Sequence, residues 1–157
     1  MGKTLVAYFS ASGSTARLAE TMAQAANADL FEIQPVMKYT SADLNWNNPS
    51  SRSSVEMADR ASRVEITNTV GSMTDYDTIL IGYPIWWGEA PHIINTFLES
   101  YDMTGKTVIP FATSGGSGIG NTNAYLGSSA KGAVLRTGKL FRWNTSVSEI
   151  EKWLKRQ

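Results

Sequence analysis

Three short stretches, residues 3–9 (KTLVAYF), 77–83 (DTILIGY) and 106–112 (KTVIPFA), constrain this chain more than anything else in it. None alternates polar with apolar as a strand with one wet face would, so each must be covered on both faces. Strands of that kind occur in parallel sheets flanked by helices. The segments between them supply the helices. Residues 15–26 set Leu18, Ala19, Met22 and Ala25 at helical spacing, and residues 91–98 open on a proline, whose missing N–H costs nothing in a first turn. Ile93, Ile94, Phe97 and Leu98 then share one face. Near the end, Ser146 and Glu149 have capping-box spacing, and Val147, Ile150 and Leu154 form a stripe. With residues 29–34 and 133–135 as further strands, the pattern predicts an α/β fold, a doubly wound five-stranded parallel sheet with helices on both faces. Two segments resist assignment: residues 35–64, thirty mostly polar residues, and the stretch after Gly118.

At 157 residues the chain suits a single domain spanning 1–157. With no cysteine and one histidine, His92, it lacks the thiolates and imidazoles of a zinc site, so no metal is expected. Formal net charge is zero, which argues against a nucleic-acid binder relying on phosphate contacts. The zero conceals a split. Residues 1–130 hold 7 Lys and Arg against 12 Asp and Glu, a net −5, and residues 131–157 hold 7 against 2, a net +5; the basic end reads as a solvated terminal helix. No apolar run approaches a membrane span, so a cytoplasmic protein with no membrane partner is expected.

In an open α/β sheet, ligands bind beyond the carboxyl ends of the strands, so the loops after the first, third and fourth strands carry the functional reading. After the first comes SASGST: Ser10, Ser12, Ser14 and Thr15 offer hydroxyls, Gly13 permits close backbone approach, and the next helix presents unpaired N–H groups. That is a cradle for a phosphate monoester, formed without lysine or arginine; Arg17 is read as facing solvent. Four hydroxyl residues in six exceed what helix capping requires, and the lysine of a nucleotide-hydrolase loop is absent. After the third strand comes PIWWGEAP, with Pro84, Ile85, Trp86, Trp87 and Gly88. Two adjacent tryptophans at a strand end cannot both enter one core, so one is expected exposed or covering a planar ligand. Gly88 can take a positive φ there, while His92 reads as structural, with no partner nearby in sequence to tune it. After the fourth strand comes TSGGSGIG, in which Thr113, Ser114, Gly115, Gly116 and Gly118 can wrap a ligand edge with backbone donors.

Together these loops resemble the flavodoxin family over nearly the whole chain. SASGST is similar to that family's phosphate loop, with Ser10, Ser12, Gly13 and Thr15 in the defining places, and PIWWGEAP and ATSGGSG look like the two flavin-ring loops of a short-chain branch. The resemblance implies strand order 2-1-3-4-5 and noncovalent FMN, its phosphate on residues 10–15 and its ring between residues 84–88 and 113–118. No stacking tyrosine follows the fourth strand, so stacking would fall to Trp86 or Trp87. Nor is the chain strongly acidic, as electron-carrier flavodoxins commonly are.

The favoured expectation is a carrier of one or two electrons between redox partners. A carboxylate such as Glu89 would disfavour an electron-rich ring, and a peptide flip at Gly88 would offer the ring a carbonyl. The alternative is an NAD(P)H-dependent reductase of quinones or nitroaromatics, with Tyr39, Trp46 and Arg52 lining or closing the space over the flavin. A receiver domain shares the topology but needs acidic residues where Ser10, Ser12 and Pro84 stand. A cofactor-free interaction module is the remaining alternative.

Overall fold

The computed structural model describes residues 2–113 and 122–157. Along the chain run β1 (Lys3–Tyr8), α1 (Ser14–Ala26), β2 (Asp29–Glu32), α2 (Arg52–Ala58), β3 (Tyr76–Pro84), α3 (His92–Glu99), β4 (Thr107–Thr113), α4 (Thr122–Leu126), β5 (Val134–Leu135), β6 (Lys139–Leu140) and α5 (Val147–Leu154). The sheet is parallel in the order β2-β1-β3-β4-β5, with β6 also paired to β4. Side-chain alternation along the central strands builds two cores. Leu5, Ala7, Ile79, Ile81 and Val108 face Ile93, Ile94, Phe97 and Leu98 of α3. Val6, Tyr8, Leu80, Ile109 and Phe111 face Leu18 and Met22 of α1 and Ile150 and Trp153 of α5. The stripe expected on α5 is thus carried by Ile150 and Trp153, with Val147 and Leu154 half-buried. No helix among the described residues is long and apolar enough to cross a membrane.

The fifth strand position differs from expectation: two short pieces fill it. β5 pairs with the start of β4 at Thr107 and Val108, and β6 with its end at Phe111 and Ala112. The cause is Pro110. Lys106, Val108 and Ala112 turn their carbonyls to this edge, accepting from Val134, Arg136 and Phe141 at 2.8, 2.9 and 2.9 Å. Pro110 shares their parity but has no N–H to donate. The ladder breaks there, and residues 136–138 leave the sheet.

Gly82 lies opposite Phe111 across β3 and β4, and a Cβ built on it would sit 2.3 Å from the Phe111 ring. That ring is fully buried and cannot step aside cheaply. Gly82→Ala is therefore expected to cost about 1–3 kcal/mol, measured as a lower urea midpoint at unchanged m-value.

The long polar segment has more structure than its composition suggests. Its base is closed by an antiparallel bridge between Pro35 and Ile66, flanked by Val36 N–H to Glu65 O at 3.0 Å and Thr67 N–H to Gln34 O at 2.8 Å. Its polar residues serve local turns: Thr40 and Asp43 exchange backbone-to-side-chain bonds of 3.0 and 3.1 Å, and Ser51 caps α2 through the Ser54 N–H. Short Asx and ST turns of this kind leave no periodic signature.

Candidate functional site

Helix α1 begins without a side-chain cap. Its N-cap is Gly13, at φ 99°, and the Gly13 N–H donates to Ser10 Oγ at 3.1 Å. The first intrahelical bond runs from Arg17 N–H to Gly13 O, so the amides of Ser14, Thr15 and Ala16 remain open. Among the described residues, the Ser12 and Ser14 hydroxyls have no protein partner. Thr15 is used differently: its buried hydroxyl bonds that of Thr113 at 2.8 Å and ties the helix start to the end of β4. The capping account of these serines therefore fails.

The third-strand loop splits its two tryptophans. Ile85 N–H donates to Thr113 O at 2.9 Å, and Trp86 and Glu89 then exchange backbone bonds of 2.9 and 3.0 Å around a two-residue turn. Trp87 and Gly88 occupy it with φ of 51° and 75°, the double positive φ of a type I′ turn. Trp86 is half-buried, edge-on to Phe9 with centroids 5.7 Å apart and to Tyr39 at 5.3 Å, whereas Trp87 is 50% exposed.

These loops border one cleft of about 850 Å³, within the usual range for small-molecule sites. Of the residues singled out in the sequence, Ser12, Ser14, Pro84, Ile85, Trp86 and Thr113 line it, whereas Ser10, Gly13, Thr15, Trp87 and Gly88 are not among its lining residues. Ser114, Gly115, Gly116 and Gly118 lie outside the described residues. The remaining wall was missed: Leu140, Phe141, Arg142, Trp143 and Asn144, following β6. Arg142 brings a cation to a cradle read as free of lysine and arginine. Arg17 is exposed, as expected, with its guanidinium 5.1 Å from the Trp143 ring centre. The signal was "LFRW", an aromatic pair flanking a cation at a strand's carboxyl end; placing the last strand at residues 133–135 hid it.

Two ion pairs stand on the turn and the loop that pack against Trp86. Arg60 holds Glu89 through two bonds of 3.1 Å and lies 3.5 Å from the Tyr125 ring centre, so Glu89 acts as half of an ion pair. Arg52 bonds Glu56 at 2.9 Å and stacks on Tyr39 at 3.8 Å, and the Tyr39 hydroxyl donates to Glu56. Burial, then that bond, raises the Tyr39 pKa and keeps the phenol protonated. His92 is buried, with Nδ1 2.7 Å from Ser62 Oγ. Burial first, then Arg63, pushes its pKa below 6.5 against the opposing pull of Glu89, so at neutral pH it is an uncharged structural imidazole. A folded pKa below the unfolded value means the unfolded chain binds the extra proton. This contribution to stability is present above the unfolded value of 6.5 and is lost as pH falls from there through the lower folded value. The urea midpoint should drop between pH 7 and 5, and the His92→Gln variant should show a shallower drop.

The family model described as Flavodoxin matches residues 3–157. The chain belongs to the flavodoxin family. A candidate flavoprotein from Bacteroides eggerthii, known as a crystal structure, is 49% identical, with a TM-score of 0.93 over 99% of this chain and 98% of that one. Another from Bacteroides uniformis is 52% identical, with a TM-score of 0.92 over 98% of each chain. A Lactobacillus acidophilus flavoprotein in complex with FMN is 23% identical, with a TM-score of 0.70 over 98% of this chain and 99% of that one, a likeness of fold. No curated protein matches the chain.

Proposed function

We propose that this flavodoxin-family protein binds FMN noncovalently in the cleft beyond β1, β3 and β4 and carries one or two electrons between redox partners in the cytoplasm. The observation behind this reading is the start of α1, where open amides and the Ser12 and Ser14 hydroxyls, which have no partner among the described residues, share a cleft with Trp86. That donor set suits a phosphate monoester: the helix end is positive, the hydroxyls donate, and Arg142 adds a cation in the same wall. Bound FMN would supply the redox chemistry. The chain's own residues would hold and orient it. Ser10, Ser12, Gly13, Ser14 and the open Thr15 amide would take the phosphate, Pro84, Ile85 and Trp86 would flank the ring, and Thr113 with the loop after it would border the far edge. Glu89 stays neutralised by Arg60, so its influence on the ring's electrons is that of a dipole.

The test is calorimetric titration of the cofactor-free protein with FMN and with riboflavin, which lacks the phosphate. FMN should bind at least a hundredfold more tightly. Equal affinities, or no heat with either, would overturn the reading. A second reading, an NAD(P)H-dependent reductase, is favoured by an open cleft that Trp46 and Trp87 line beside the same turn. Anaerobic bleaching of the bound flavin by NADH or NADPH would establish it, and its absence would leave the carrier.

A further inference from the structure

We propose that Arg60 is a positioning residue that sets the spacing between the turn after β3 and helix α4, and with it the gap that receives the flavin ring. The ring as occupant rests on the FMN reading; the link itself does not. Arg60 belongs to neither element, standing two residues beyond α2 near the end of the long polar segment. Both terminal nitrogens of its guanidinium donate to the Glu89 carboxylate at 3.1 Å, and its central carbon lies 3.5 Å from the centre of the Tyr125 ring. Glu89 closes the turn with Trp86 through two backbone bonds, and Tyr125 stands on α4, the first described helix after β4. One side chain thus grips the elements that follow two neighbouring strands.

The sheet cannot set this spacing. β3 and β4 stay in register up to Pro84 and Thr113, and the bond from Ile85 N–H to Thr113 O carries the pairing one step further. Helix α4 has five residues, too few to hold a position through its own hydrogen bonds, so it depends on tethers. Asn95 Nδ2 donates to Tyr125 O at 3.0 Å from α3, Asn123 Nδ2 donates to Arg136 O at 2.8 Å, and Arg60 stacks on Tyr125.

Arg60 is itself held in place. Asp59 accepts from the Ala61 amide through Oδ1 at 3.0 Å and from the Ser62 amide through its carbonyl at 2.9 Å. Ser62 Oγ stands 2.7 Å from Nδ1 of buried His92, while Arg63 holds Glu99 through two bonds of 2.9 Å and donates to the Arg60 carbonyl at 3.2 Å. His92 and Glu99 are the first and last residues of α3, so the segment carrying Arg60 is pinned at both ends of that helix. Folding stability does not account for the arrangement, since the Arg60 side chain is 56% exposed and exposed ion pairs contribute little. A planar fork that also stacks fixes direction as well as distance, which an ammonium cannot do.

The experiment is calorimetric titration of Arg60→Lys and Arg60→Met with FMN and with riboflavin, beside thermal melts of the cofactor-free proteins. Affinity for both ligands should fall at least fivefold, and their ratio should stay within twofold of the original, because the ring is misplaced and the phosphate cradle is untouched. The thermal midpoint should move by no more than about 3 °C. Glu89→Ala, which removes the charge that Arg60→Met leaves bare, should lose as much, and the double variant no more than either alone. In the cofactor-free protein, Tyr125→Leu should shift the Gly88 and Glu89 amide signals, and the same change made in Arg60→Met should leave them in place. Unchanged affinities, a loss confined to FMN, additive losses in the double variant, a larger fall in the midpoint, or amide signals indifferent to Tyr125 would each overturn the proposal. A protein that binds neither ligand yet relays the Tyr125 change to the turn would keep the link and lose the cofactor reading.

Discussion

Replacing Ser14 with aspartate should leave the cofactor-free protein as stable as before, or slightly more so, and reduce its FMN affinity by up to about a thousandfold. The two effects share one cause. Ser14 is the first residue of α1, and a carboxylate there meets the positive end of the helix, a gain of about 0.3–1 kcal/mol. The same carboxylate would face the phosphate that those amides are proposed to hold. Two unit charges about 4 Å apart repel by roughly 4 kcal/mol at an effective dielectric of 20, close to a thousandfold in Kd. Arg142, in the wall of the same cleft, screens part of this, so a thousandfold is the upper end. Riboflavin affinity should be untouched. Calorimetry with both ligands, beside thermal melts of the cofactor-free variant, reads all three quantities. FMN affinity within threefold of the original would mean that the phosphate is held elsewhere.

The sequence placed the sheet well because its information is local. An apolar run covered on both faces admits few structures, and residues 3–9, 77–83 and 106–112 became the three central strands within one residue or two at each end. Residues 35–64 were opaque because their order comes from pairwise closures, such as Arg52 on the Tyr39 ring and Pro35 bridged to Ile66, whose partners have no fixed spacing. The split edge strand could have been read from Pro110, had its facing direction been known. For the candidate site, the loops after β1 and β3 announced themselves through repeated residue types, four hydroxyls and two indoles. The wall at Leu140–Asn144 did not, since it depends on where a two-residue strand ends. Which indole faces which cleft was likewise undetermined until Trp86 and Glu89 closed the turn.

That turn makes Trp86 the point where fold and site meet, and Trp86→Ala is expected to damage both. Its ring is edge-on to Phe9 and Tyr39, and Tyr39 is clamped by Arg52 and Glu56, so the indole joins the residue after β1, the long loop and the candidate cleft. Truncating a packed tryptophan costs about 3 kcal/mol or more, of which each aromatic pair accounts for about 0.5–1.5 kcal/mol. For a domain of this size, about 3 kcal/mol lowers the thermal midpoint by roughly 6–12 °C. Trp86→Phe should recover more than half of the loss, because a smaller ring still meets one neighbour. A double-mutant cycle with Tyr39→Leu isolates the pair and should give a coupling of about 0.5–1.5 kcal/mol. FMN affinity should fall at least tenfold in Trp86→Ala, measured at a temperature where the variant remains folded. A loss of stability below about 1 kcal/mol would show that the long loop is anchored without Trp86. The candidate cleft would then owe its shape to β3, β4, the Leu140–Asn144 wall and the Thr15–Thr113 bond.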